Sequence, residues 1–222
     1  IGGAAGNGVS PSSADDSSMR LSQASRHFSF YLLIFASTAG FMAVTATFFH
    51  IVPYLTDSGF APNAAVAIVA IWSGAAGIGS LVTGFFLDRF DSRLMLASQL
   101  GIAAAAYAFL LPLNALELLI IWAIGYGLVQ GAMITTQQVL FANYYGRRYL
   151  GSIRGVMMLA MAVGNAVGAT GAALVYDRAE SYVAVFWAFV FLNGAGAVAA
   201  IVARKPAAAI TLVRRGSRVE SL

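Results

Sequence analysis

Long apolar stretches separated by short polar segments make up most of the chain between residues 28 and 203. Each of six stretches reaches the length of about 20 residues that a helix needs to cross the hydrocarbon core of a bilayer. None alternates with the period of two that a strand of a membrane barrel shows. The pattern therefore predicts an all-α membrane protein with six transmembrane helices, here called the first to sixth spans: Phe28–Leu55, Ala64–Leu87, Leu94–Leu113, Leu116–Tyr144, Ile153–Tyr176 and Tyr182–Ala203.

Composition supports a membrane protein. Of 222 residues, 59% are hydrophobic and only 10% are charged, whereas soluble domains carry about 25% charged residues. There is no cysteine, which excludes disulfides and thiolate metal sites. An intramembrane enzyme would need clustered catalytic side chains, and of the two histidines only His50 lies in a span. We therefore expect no enzyme, no metal and no cofactor.

Charge predicts the orientation of the spans. If all six cross the membrane, twelve of the thirteen Lys and Arg residues fall on one side and only Arg178 on the other. The positive-inside rule makes the first side cytoplasmic and places both termini there. The basic residues are spread over separate loops and tails, so nucleic-acid binding is not expected.

The polar ends suggest the domain organisation. Residues 1–27 are rich in Gly, Ser and Ala and lack the apolar run of a signal peptide, so we expect a flexible cytoplasmic linker. Residues 28–205 form the six-helix bundle, and residues 206–222 a cytoplasmic tail. The linker suggests that the chain is a piece of a longer protein; loss of only the first residues is the alternative.

The chain contains an internal repeat. The second span ends in Leu87-Asp88-Arg89, and the fifth ends in Tyr176-Asp177-Arg178, each followed by an acid and a Ser after one further residue. The two sites are three spans apart and so lie on opposite faces of the membrane. Three spans repeated in inverted topology are a known transporter architecture.

The charged turn Gly84–Arg93, with the spacing G-x-x-x-D-R-x-x-x-R, resembles the loop signature of the major facilitator superfamily of transporters. The basic loop around Arg147 and the glycine-rich fifth span are similar to those of bacterial carriers related to the monocarboxylate transporters. The resemblance covers about residues 20–205. Asp91 and Ser92 depart from the motif, standing where a Gly and a base are common.

The resemblance implies the C-terminal six-helix half of a twelve-helix carrier in a bacterial inner membrane. The function it implies is secondary active transport of a small solute, such as a monocarboxylate or another small organic anion, by alternating access, with a proton as a candidate coupling ion. The expected partner is the N-terminal six-helix half, or a second copy of this chain. The alternative is a non-transporting membrane fragment or subunit that binds partner helices.

Polar side chains in the first and fourth spans are the candidates for the solute cavity, because the resemblance implies that these two helices line it. They are Thr47, His50, Tyr126, Gln130 and Gln137. Amides in hydrocarbon need polar partners. Hydrogen bonding between neighbouring helices is therefore the alternative for each of them.

The charged turn and the glycines have candidate mechanical roles. Gly84, Asp88, Arg89 and Arg93 form the candidate gating loop. Ser152 is expected to cap the fifth span, and Asp88 could dock on a helix start of that kind; solvated charges that only set topology are the alternative. Gly164, Gly168 and Gly171 are expected to let helices pack closely.

Overall fold

The computed structural model describes residues 18–205. In this range it has one short helix, α1 (Leu21–Ala24), and six long helices: α2 (Phe28–Asp57), α3 (Pro62–Leu87), α4 (Ser92–Leu110), α5 (Leu116–Tyr145), α6 (Leu150–Ala179) and α7 (Val183–Val202). The long helices match the six predicted spans in order, and each is long and apolar enough to cross a membrane. Residues 1–17 of the predicted linker and the predicted tail, 206–222, lie outside the described residues.

Local chemistry explains where the helices end. Asp91 caps α4, because its Oδ1 accepts a hydrogen bond from the Arg93 backbone N–H at 2.9 Å. The same helix stops at Leu110, short of the predicted Leu113, because Pro112 has no N–H to continue it. Helix α6 runs to Ala179, and Glu180 then turns into the left-handed region with φ 48°.

The prediction that Ser152 caps the fifth span is wrong. Helix α6 begins at Leu150, three residues before the predicted start, and Tyr149 occupies the N-cap position without a side-chain cap. Ser152 lies inside the first turn, where its hydroxyl donates to the Tyr149 carbonyl at 3.2 Å. The helix can extend because Gly151 and Ser152 do not interrupt it as a proline would.

The two three-helix repeats, α2–α4 and α5–α7, pack mainly on each other. Helix α2 packs on α6 and α7, while α5 packs on α3 and α4. The third helices, α4 and α7, pack together. Exchanging the two triplets leaves this pattern unchanged, which is the two-fold relation of an inverted repeat. The fold is therefore the six-helix, three-plus-three bundle that the sequence predicts.

The bundle has two ends with different chemistry. We call the end that carries the α3–α4 and α5–α6 connections, residues 88–91 and 146–149, the basic face, because Arg89, Arg147 and Arg148 lie there. The other end, with residues 58–61, 111–115 and 180–182, is the opposite face. One buried apolar cluster fills each end, and the cluster toward the opposite face holds Trp72, Tyr107, Trp122, Tyr126 and Phe186.

Glycine allows the closest helix contacts. A Cβ on Gly131 of α5 would collide with the backbone carbonyl of Ala76 in α3, and one on Gly79 of α3 would collide with the carbonyl of Leu128. The two backbones therefore touch, which a side chain at either position would prevent.

The glycines predicted to pack α6 differ in their surroundings. A Cβ on Gly168 would lie 2.9 Å from the Met42 carbonyl of α2, and one on Gly164 would collide with Thr38. By contrast, a Cβ on Gly171 would have no neighbour within 4 Å. Among the described residues, Gly164 and Gly168 thus form the close α2–α6 contact, and Gly171 does not.

Residues 18–27, within the predicted linker, lie against the bundle. The Met19 N–H donates to the Tyr145 carbonyl at 2.9 Å, and the side chains of Met19 and Ala24 are buried. The Arg20 guanidinium lies over the Tyr149 ring, 5.5 Å from its centroid. The packed part of the chain therefore begins before Phe28, because this segment finds apolar and aromatic partners at the α5–α6 connection.

Gly131→Ala is expected to destabilise the bundle by about 1–3 kcal/mol, because the added methyl group must push α3 away from α5. Gly125→Ala on the same helix is the matched control, since a Cβ there has no neighbour within 4 Å. The control should be neutral or slightly stabilising, as alanine favours helix over glycine. Thermal melts of the purified variants in detergent measure both, and equal melting temperatures would contradict the backbone contact.

Candidate functional site

A hydrogen-bonded chain of three hydroxyl groups, here called the three-hydroxyl chain, crosses the centre of the bundle. The Thr47 hydroxyl of α2 lies 2.8 Å from the Tyr107 hydroxyl of α4 and also donates to the Ala43 carbonyl at 2.7 Å. Tyr107 in turn bonds the Tyr126 hydroxyl of α5. The Tyr126 ring stacks on Trp122, with 5.2 Å between centroids. The chain joins three helices through groups that would otherwise be unsatisfied in an apolar core.

The three-hydroxyl chain includes two of the predicted cavity residues, Thr47 and Tyr126. Thr47 is fully buried and Tyr126 is only 2% exposed, so the helices of this half already surround both side chains. Tyr107 was missed by the sequence reasoning. The third span is a largely apolar stretch. Nothing in its pattern indicates that Tyr107 lies against Thr47, which is 60 positions away in the sequence.

His50 joins α2 to α6 and to the start of α7. Its Nε2 lies 3.1 Å from the Ala169 carbonyl, and its Nδ1 lies 3.2 Å from the Tyr182 hydroxyl. A carbonyl can only accept, so in a neutral ring Nε2 carries the hydrogen and Nδ1 accepts from Tyr182. Burial, followed by the charges of Asp57 and Asp177, raises the pKa of Tyr182, which keeps this hydroxyl protonated and able to donate. His50 is half-buried, so part of the ring stays accessible.

An open pocket of about 290 Å³ lies at the opposite face, close to His50. Tyr176 and Tyr182 stack in its wall, 4.3 Å between centroids, and the Tyr176 hydroxyl donates to Asp57 Oδ2 at 2.7 Å. Glu180 also lines the pocket. The sequence suggested the Asp177-Arg178 repeat here but not this aromatic and acidic lining, which is built from the ends of three helices.

The two predicted amides of α5 have different environments. Gln137 is 3% exposed, and its Nε2 has no partner among residues 18–205. Beside it in sequence, Thr136 accepts a hydrogen bond from Gln99 Nε2 of α4 at 2.8 Å. Gln130 is half-buried. Of the five predicted cavity residues, His50 and Gln130 therefore keep accessible surface in this half.

The four residues of the predicted gating loop also have different environments. Asp88 and Arg89 are exposed. The Asp88 backbone N–H donates to the Phe86 carbonyl, but its carboxylate makes no hydrogen bond or ion pair to any residue in the range 18–205. Arg93 instead donates from Nη1 to the carbonyls of Ile201 and Ala203, at 3.3 and 3.2 Å. It thereby satisfies carbonyls at the C-terminus of α7, where a positive charge is also favourable. Gly84 lies on an open side of α3, with no atom within 4 Å of a Cβ built on it.

Arg154 is a further charged residue near the basic face. From α6 its Nη2 donates to the backbone carbonyl of Gln138 in α5, at 3.1 Å. Its Nε is buried and has no partner in the described range. Nothing in the sequence pattern around Arg154 indicates that its side chain reaches α5.

No three His, Asp or Glu side chains lie close enough within residues 18–205 to hold a metal ion. The polar groups at the centre are instead hydroxyls, amides and one imidazole on helices α2, α4 and α5. A six-helix membrane bundle of two inverted triplets is an architecture that occurs as one half of larger membrane transporters.

The chain belongs to the Major Facilitator Superfamily, whose family model matches residues 13–218. Monocarboxylate transporter 12-B of Danio rerio is 24% identical over 97% of this chain and 46% of its own length. Agnestins efflux protein AgnL12 of Paecilomyces divaricatus is 24% identical over 58% of this chain and 30% of its own length. The chain thus spans half or less of these relatives. The superfamily is one of membrane transporters rather than enzymes, which confirms the predicted class and the membrane location.

Tyr107→Phe is expected to lower stability by about 1–3 kcal/mol, because it removes the hydroxyl between Thr47 and Tyr126 and leaves buried polar groups unsatisfied. Tyr31→Phe is the matched control, since Tyr31 is 55% exposed and its hydroxyl makes no hydrogen bond within residues 18–205. Thermal melts in detergent compare the two. If Tyr107→Phe melts like Tyr31→Phe, the three-hydroxyl chain does not stabilise the bundle.

Proposed function

We propose that this chain is the C-terminal half of a secondary active transporter that moves a small solute by alternating access. The observation that carries the proposal is the complete inverted repeat in a chain that covers only 46% of a transporter relative. The part of that relative that the chain does not cover is long enough for a second six-helix bundle. The solute would bind between the two halves and be exposed to each side in turn as they rock.

A small organic anion such as a monocarboxylate is the proposed solute, supported by the name of the Danio rerio relative. His50 and Gln130 would contact it, because they keep accessible surface. Thr47, Tyr126 and Gln137 would stand behind them and hold α2, α4 and α5 in place. A coupling proton, if one is used, would be carried by His50, the one histidine within the described membrane-spanning helices.

The basic face is proposed to be cytoplasmic, by the positive-inside rule, in a plasma membrane. Both termini of the chain would then face the cytoplasm. The Asp88 carboxylate is exposed and has no hydrogen-bond or ion-pair partner in the described range. It is therefore available to dock on the N-terminal half when the cytoplasmic side closes. Without the N-terminal half, the surface of this bundle that would contact it is uncovered. We therefore expect this chain alone to form a homodimer or to have low stability.

Flux of radiolabelled lactate into liposomes tests the function. We expect flux when this chain is reconstituted with the six-helix half that completes it, and none with this chain alone. Flux from neither preparation, with both halves shown to be folded, would favour the alternative of a membrane subunit that only binds partner helices.

Joint replacement of His50, Gln130 and Gln137 by alanine in the complete carrier is expected to lower flux at least tenfold, since two solute contacts and their support are lost. Ser98→Ala is the control, because Ser98 is an exposed residue of α4 that bonds only the Met95 carbonyl of its own helix. Unchanged flux in the triple variant would show that the cavity lies elsewhere.

Asp88→Asn in the complete carrier is expected to slow flux several-fold while leaving the melting temperature unchanged, because its partner lies in the other half. The matched variant is Asp177→Asn, at the corresponding position of the second repeat, which should have a smaller effect. Equal flux in the native carrier and Asp88→Asn would leave Asp88 as a charge that only sets topology.

A further inference from the structure

Arg154 carries its charge inside the helical part of the bundle. Its guanidinium extends from the second turn of α6 to the carbonyl of Gln138 in α5. Gln138 is seven residues before the end of α5 at Tyr145, which is about 10 Å along the helix axis. The charge is therefore held well above the α5–α6 connection, between two helices that have few contacts with each other.

This guanidinium has no acidic partner among residues 18–205. A single carbonyl accepts from Nη2, and Nε is buried without a partner. Two acids of the described range lie at the basic face; Asp91 caps α4, and Asp88 lies at the C-terminal end of α3. Arg154 is half-buried, and a charge that loses part of its contact with water is stabilised by an opposite charge. An anion bound here would therefore supply what the described residues do not.

The other arginines of the basic face differ from Arg154. Arg93 satisfies the carbonyls at the end of α7, and Arg20 lies over the Tyr149 ring. Arg89 and Arg147 are exposed in the connections, where water and ions screen their charge. Arg93 also has a buried Nε without a partner in the described range, but its two carbonyls lie at the end of α7. Arg154 alone of these five donates to a carbonyl well inside a helix.

The surroundings of Arg154 leave room for a ligand. The side chain of Gln138 is exposed, and its amide has no hydrogen-bond partner in the described range. Gly151 and Gly155, on either side of Arg154 in α6, have open space where a Cβ would be. A guanidinium with free N–H groups and a neighbouring amide provides the donors that a carboxylate accepts.

We propose that Arg154, positioned by the Gln138 carbonyl and assisted by the Gln138 amide, is a carboxylate-binding site at the basic mouth of the solute path. The inference rests on the proposed transport function and adds to it a residue that would bind the carboxylate group of the proposed solute. A carboxylate entering from the basic face would meet Arg154 before it reaches Gln130 and His50 deeper in the half. Lipid phosphate is the competing oxyanion, and the experiment separates the two.

The first measurement is binding of radiolabelled lactate to the purified chain in neutral maltoside micelles. Arg154→Gln should weaken binding at least tenfold, and Arg154→Lys should recover part of it, because an ammonium keeps the charge but loses the two-pronged geometry. Arg147→Gln, which removes the same charge from the adjacent loop, should change affinity less than twofold. Size-exclusion profiles and melts establish that each variant is folded.

The second measurement uses the native chain, so that it does not depend on how a variant folds. Phenylglyoxal modifies accessible arginines, and mass spectrometry locates the adducts. Lactate should protect Arg154 and leave Arg147 reactive. Protection by phosphatidylglycerol with none by lactate would make this a lipid site and overturn the inference. Absence of both lactate binding and protection would also overturn it.

Flux separates this inference from the proposed function. If the complete carrier moves lactate and Arg154→Gln moves it with an unchanged KM, the site is wrong and the transport function stands. If no lactate moves but lactate still protects Arg154, the site stands and the transport function is wrong.

Discussion

Close contact between backbones is the constraint on which this bundle depends. Lipid tails are as apolar as leucine, so helices in a bilayer gain little by hiding apolar side chains from their surroundings. Packing must supply the attraction, and packing is best where helix axes approach closely. Gly131 against Ala76 and Gly168 against Met42 provide that approach at equivalent places in the two halves of the repeat, α3 with α5 and α6 with α2. The remaining helices, α4 and α7, then cover these two pairs from one side.

Polar side chains complete what the glycines begin. Thr47, Tyr107 and Tyr126 satisfy one another across three helices, and His50 uses both ring nitrogens to join α2 to α6 and α7. Arg93 ties the start of α4 to the end of α7. The Thr47–Tyr107 bond lies within the first triplet, and the other bonds join the two triplets and so hold the two repeats in register. The Asp88 carboxylate and the Arg154 Nε, which have no partner in the described range, lie toward the basic face.

The sequence predicts the helices well because length and hydropathy are local properties. It also predicts the repeat, since Asp88-Arg89 and Asp177-Arg178 preserve it at the ends of two helices. What it does not predict is which side of each helix meets which neighbour. Gln137 and Gln130 share a helical face in sequence, yet Gln137 is enclosed and Gln130 keeps accessible surface. Tyr107 and Arg154 were missed as functional candidates because their partners are tertiary.

The exchange of contacts between the triplets has a consequence for biogenesis. Helices α2, α3 and α4 leave the ribosome first, but most of their neighbours lie in α5, α6 and α7. During synthesis the close-packing surface of α3 at Gly79 and the hydroxyl of Tyr107 therefore lie in the membrane before their partners in α5 have been made. The last helix to be inserted supplies the carbonyls that Arg93 binds. Assembly of this half is thus completed only when its final span has entered the bilayer, and a nascent chain halted after α4 would hold three helices and almost none of the native packing.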